Sequence, residues 1–309
     1  MPTAKIQPVY NLKFPAYCNE LKIFGYVFKR VSHYESRLKK LHRVSGLRHE
    51  FDLEPITGTH NITASVAMPL KEFRSALPWE QKNLTALADV ILLLNLFTSR
   101  DVFSFPAEEL EDKVLLYDPR SYAVANMLRV AIKYKRGAPN QRGFAPNVNF
   151  EKSMNSAVAL IRTREWRRKY RHGYVLFLAR QAFKWQTAAS SLLACFAIWE
   201  HVYSILNQNL SDSEIRVKSG KVKIAFVLHE FKFFDTPLSK NQVDRVDTQL
   251  VYLRNRIIHF GHLPTRRYAL RDAYAFVELT SHLTARILNL TPEDTTSCIK
   301  RIKHVIGKP

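Results

Sequence analysis

Three residues in the stretch LVYLRNRIIHFGHLP, positions 250–264, are of types that move protons and stabilise charge on phosphate: Arg254, Asn255 and His259. Imidazole exchanges its proton near neutral pH, and a helix C-terminus favours its charged form. Beside a phosphate, His259 is therefore a candidate general acid or base. A guanidinium keeps its charge and presents a fork of donors, so Arg254 is a candidate for binding a phosphate and stabilising its transition state. Asn255 offers both donor and acceptor and is placed to orient the imidazole or the phosphate. These parts suffice for metal-free RNA cleavage, in which the ribose 2′-hydroxyl attacks the adjacent phosphate and no enzymic nucleophile is needed.

That chemistry depends on one helix. Ser239 and Gln242 have capping-box spacing, Val243, Val246, Leu250, Leu253 and Ile257 recur at helical intervals, and Gly261 is a natural stop. With Arg254 at zero on a wheel of about 100° per residue, these apolar residues with Ile258 and Val251 span an arc from about 260° to about 60°. Arg254 falls inside the arc, Asn255 and His259 stack on its flank, and Arg256 points away at about 200°. A core-facing guanidinium is costly unless paired or wet. Asp247, nearly eclipsed two turns earlier, and Glu200 are the available anions. Two accounts stand: Arg254 is an internal ion pair fixing register, or it lines a cleft where His259 also works.

Neighbouring segments predict the rest of a helical bundle. In SSLLACFAIWEHVYSILNQNL (190–210) Leu192, Phe196, Trp199, Tyr203 and Leu206 form a core-facing stripe, interrupted by Glu200 and His201. A shorter helix follows over 220–234, a longer one over 267–290, and Thr291 with Pro292 starts a terminal helix. The expected fold is α+β overall, with an N-terminal mixed domain over 1–150, a basic helical connector over about 151–172 and a helical bundle over about 173–309. In the first part, ITASVAM (62–68) alternates as a strand, LKIFGYVF (21–28) and KVLLYD (113–118) are further strands, and 78–97 reads as a buried helix. KRGAPNQRGFAPNVN (135–149), with two glycines and two prolines, is the candidate linker.

The net charge of +20 points to a polyanionic partner, nucleic acid before membrane. RTREWRRKYRH (162–172) concentrates it in Arg162, Arg164, Arg167, Arg168, Lys169 and Arg171, with Trp166 and Tyr170 on one helical face. It is either a solvated helix face or a phosphate-tracking surface with aromatic platforms for bases. Arg256 joins these candidate nucleic-acid contacts. Cys18, Cys195 and Cys298 follow no ligand pattern and predict no disulfide framework, in keeping with a reducing cytoplasm. The start, MPTAKIQPVYNLKFPAY, has no signal-peptide core, and VILLLNLF (90–97) is too short to span a membrane. His259 and His262 could ligate a metal, but no third ligand has recognisable spacing. No Walker loop, GxGxxG or GxSxG is present, so no cofactor is expected. Tyr252 and Phe260 are expected to pack rather than stack a base.

Arg254-Asn255-(three residues)-His259, late in the third helix of such a bundle, resembles the Rx4-6H motif of HEPN domains, including the polar residue after the arginine. FAIWEHVYSIL resembles the earlier helix of that family, with Glu200 at the position of its glutamate. The resemblance covers about 173–290; ALADVILLLNLFTSRDVFSF is similar to regions preceding the bundle in ApeA-like HEPN proteins of bacterial defence. It implies a metal-independent endoribonuclease that works as a homodimer, two Arg/His sets meeting in one interface cleft. It also implies a setting in antiphage defence or a toxin–antitoxin system, with an antitoxin or regulatory partner. The N-terminal domain would sense, recruit or regulate. The competing expectation is a non-catalytic module that binds RNA or protein.

Overall fold

Alternating apolar and small polar residues make 62–69 a strand, and it forms the middle of a sheet. The computed structural model describes residues 4–10, 12–15, 18–38, 62–69, 86–98, 102–104, 150–184, 188–265, 268–290 and 304–306. The expected strand at 113–118, the linker at 135–149, the helix start at 78–85, Thr291, Pro292 and Cys298 lie outside these residues. Two compact units are present, one reaching Arg162 and the other continuing from Thr163. The stretch 151–172, expected as one connector, is thus divided between them.

In the first unit, strands β1 (Ala4–Tyr10), β2 (Glu20–Ile23), β3 (Tyr26–Arg30), β4 (Ile62–Pro69) and β5 (Phe103–Ser104) form a sheet in the order β2-β3-β4-β1-β5. Every pairing is antiparallel, with Val66 opposite both Gln7 and Phe28. The expected strand 21–28 is instead a tight hairpin. Phe24 and Gly25 both take positive φ, 50° and 83°, the geometry of a two-residue turn that follows the twist of its strands. Phenylalanine is an unusual occupant there, so the apolar run hid the turn.

Helices α1 (Ala86–Thr98) and α2 (Phe150–Ile161) pack together, and α2 also meets β2. An edge strand leaves backbone groups unpaired. Here Glu151 accepts from the Lys22 amide at 2.8 Å, while Asn155, one turn on, accepts from the Phe24 amide at 2.6 Å and donates to the Lys22 carbonyl at 3.0 Å. Arg162 closes α2 on an ion pair with the buried Asp89, 2.6 Å away, and lies over the Phe24 ring.

The described elements of the second unit are all helical: α3 (Arg164–Lys169), a 3-10 turn (Arg171–Gly173), α4 (Tyr174–Lys184), α5 (Ala188–Leu206), α6 (Asp212–Val217), α7 (Gly220–Glu230), α8 (Lys240–Arg245), a π turn (Val246–Val251), α9 (Tyr252–Phe260) and α10 (Ala269–Ile287). The stripe on α5 meets α10, a largely buried helix: Trp199 stacks on Phe276 and Phe196 lies tilted against it, with ring centroids 5.5 and 4.7 Å away. The Trp199 indole donates to the Thr280 hydroxyl at 2.9 Å, which itself donates to the Phe276 carbonyl at 2.8 Å. Burial pushes the Cys195 thiol up to about 12, against a smaller opposing hydrogen bond with Thr280. Cys18 and Cys195 are both free. The short helix α6 is absent from the expected elements, although Ser211 and Glu214 form a full capping box.

Candidate active site

The capping box at Ser239 and Gln242 starts α8, and Gly261, at φ 75°, ends α9 by adopting the left-handed conformation that a side chain resists. Between them the helix is continuous but not uniform. The Tyr252 amide bonds the Asp247 carbonyl five residues back, so Val246–Val251 form a π turn. Such a turn adds one residue to the ladder and rotates the helix on its N-terminal side by about 100° relative to the helix on its C-terminal side. A wheel at constant pitch therefore fails across this point.

The offset decides which anion meets which cation. Asp247 does not face Arg254; with Asp244 it pairs with Lys221 of α7, at 3.5 and 3.1 Å. Arg254 reaches Glu200 of α5 at 3.2 Å, and its guanidinium stands 5.8 Å from the Phe196 ring centroid. With side chains 30% and 33% exposed, this pair is neither buried nor free. Arg254 lies at the border of the apolar face, which Leu253 and Ile257 occupy. Ile258, expected within the buried arc, is 52% exposed.

Asn255 and His259 are both exposed, one turn apart. The surface around them includes Tyr252 and Phe260, which are also exposed, against the expectation that they pack. Arg256 is half-buried, its guanidinium 3.9 Å above the Phe260 ring. The solvent-facing side of α9 thus carries one imidazole and one amide, with a partly solvated guanidinium at its border. A phosphate there could receive a charged donor and exchange a proton with imidazole. Among the described residues no group of three or more His, Cys, Asp or Glu is placed to hold a metal ion. The His262 ring nitrogen Nδ1 lies 2.8 Å from the Leu263 carbonyl.

The basic run is not one surface. Arg162 is held by Asp89, whereas Arg164, Arg168, Lys169 and Arg171 are exposed and Arg167 is half-buried. Trp166 and Tyr170 cannot serve as base platforms, because both are buried and lie against each other at 4.9 Å. The Trp166 indole donates to the Ile287 carbonyl at 3.2 Å. Two aromatic residues at i, i+4 mark a packed face as readily as a binding one.

His201, adjacent to Glu200, carries no sequence signal beyond its interruption of the α5 stripe. Burial first, and the positive charge of Arg171 second, hold its imidazole below the ordinary value. An unfolded chain takes up a proton near about pH 6.5 while the folded chain still excludes it. The associated stability is present above that unfolded value and is lost as pH falls from there through the folded value. Urea midpoints measured between about pH 7 and about pH 5 should fall more steeply for the unaltered chain than for His201→Gln. Equal slopes would remove His201 as a source of acid sensitivity.

Among the described residues no helix is long and apolar enough to cross a membrane. No family model matches the chain, and no curated protein or solved structure matches it.

Proposed function

We propose that the chain is a metal-independent endoribonuclease. The supporting observation is that α9 carries exposed Asn255 and His259 one turn apart, with the partly solvated Arg254 next to Asn255 in the chain. The ribose 2′-oxygen forms a bond to phosphorus as its proton leaves, and the bond to the 5′-oxygen breaks as that oxygen gains a proton. The products are a 2′,3′-cyclic phosphate and a 5′-hydroxyl. His259 exchanges protons, Arg254 binds the scissile phosphate, and Asn255 orients the imidazole or the phosphate. One chain supplies one such imidazole, whereas the reaction uses a base and an acid. A symmetric homodimer through α9 would supply both, with exposed Ile258 and Phe260 as apolar contacts. The resemblance to HEPN domains extends the proposal to a cytoplasmic role in bacterial antiphage defence or a toxin–antitoxin system, with a regulatory partner.

Incubating end-labelled RNA with the full chain, with and without EDTA, should give the same cyclic-phosphate ends in both. A second reading is favoured by the 3.2 Å Arg254–Glu200 pair, which already compensates the guanidinium. On that reading the chain binds RNA or protein without cutting, and RNA affinity falls steeply with salt. Intact RNA under binding conditions would select it. Activity that disappears with EDTA would instead turn attention to His259 and His262 as metal ligands.

A further inference from the structure

Helix α5 carries an open strip among its described residues: Ala197 is exposed, and Leu193, Ala194, Glu200, His201 and Ser204 are half-buried. Two helices supply contacts along it. Tyr174 of α4 stands edge-on to His201, with ring centroids 5.1 Å apart, and Arg254 of α9 meets Glu200 at 3.2 Å. The strip therefore runs between an aromatic side and the candidate active site.

Tyr174 and Phe177 lie nearly parallel on α4, their centroids 6.4 Å apart at an interplanar angle of 21°, and each is 48% exposed. Two large rings, each half in solvent and nearly parallel, suit a flat partner on their outer faces. Directly before them in the chain, Arg164, Arg168, Lys169 and Arg171 are exposed. Arg171 is near enough to His201 to disfavour its charged form. A flat, uncharged ring carried on a negative backbone satisfies both the aromatic pair and the cations beside it, and single-stranded nucleic acid has that chemistry.

We propose that Tyr174 and Phe177 form a base-stacking platform for single-stranded RNA, with the open strip of α5 leading the strand toward Arg254. The identity of the far end rests on the proposed nuclease reading, but the platform's contribution to binding can be measured without cleavage. Base stacking is sequence-tolerant, so the platform binds unpaired segments of varied sequence.

The test uses the full chain and a fluorescent 2′-O-methyl oligonucleotide of mixed sequence, which lacks the attacking hydroxyl. Tyr174→Ala and Phe177→Ala should each weaken binding roughly 5- to 100-fold, while Tyr174→Trp keeps it. An oligonucleotide with abasic positions throughout should bind the unaltered chain and the alanine variants equally. Unchanged affinity in both alanine variants overturns the platform, as does failure of the unaltered chain to bind. A lost chain–chain association by sedimentation, with RNA affinity unchanged, also overturns it and assigns the surface to a second copy. Circular dichroism confirms that each variant is folded. An oligonucleotide that binds through the platform alongside RNA that is never cut supports the platform and sinks the nuclease. Cleavage with an unaltered KM in the alanine variants does the reverse.

Discussion

His259→Ala lowers single-turnover RNA cleavage in EDTA by about 10²- to 10⁴-fold, the usual contribution of a positioned acid or base. Arg254→Ala lowers it by about 10²- to 10³-fold, as expected for a fixed donor to developing phosphate charge. Neither loss should be a folding defect. His259 is exposed, and the Arg254–Glu200 pair, a third of each side chain in solvent, contributes no more than about 1 kcal/mol. Arg254→Lys keeps the charge but loses the planar fork and should recover only part of the rate. Unchanged circular dichroism and sedimentation, with a collapsed rate, is the expected result. Cleavage that persists in either alanine variant removes that residue from the mechanism, and persistence in both removes the site.

Trp199→Ala should produce the largest loss of stability, about 3–5 kcal/mol in urea unfolding. The indole is fully buried, stacks on Phe276, and donates to Thr280, so its removal opens a cavity and takes one hydrogen bond from a hydroxyl that keeps its bond to the Phe276 carbonyl. Typical domains have only about 5–15 kcal/mol in total. Trp199→Phe retains much of the apolar contact and should cost markedly less. A loss below about 1 kcal/mol for alanine would show that the core of the second unit is not centred here.

The elements that the sequence made legible are those marked by periodicity and caps. Leu192, Phe196, Trp199 and Tyr203 are all buried along α5, and the Ser239–Gln242 box and Gly261 bound α8 through α9 as read from their residue types. Geometry that residue types do not announce was the part that failed. Phe24 gave no warning of a turn, and nothing in VDTQLV distinguishes a π turn from an α turn. Because the wheel ran through that turn, it assigned Asp247 to the neighbourhood of Arg254 and sank Ile258. Glu200, the other candidate anion, is the partner observed. Trp166 and Tyr170 failed differently: spacing placed them on one face but could not say whether the face met water or protein. Tyr174 and Phe177 carry the same kind of signal a few residues later, with the opposite outcome.

The π turn makes one rod serve two masters. Its early part packs with α7, where Asp244 and Asp247 meet Lys221, and its late part packs with α5, where Arg254 meets Glu200. On a uniform α-helix Asp247 and Arg254 would share a meridian and face the same side. The extra residue works as a fixed angular offset, so the bearing of the late half on α5 is set by the docking of the early half on α7. The direction in which His259 is presented is therefore a length-dependent property of the chain as well as a matter of which residues it carries.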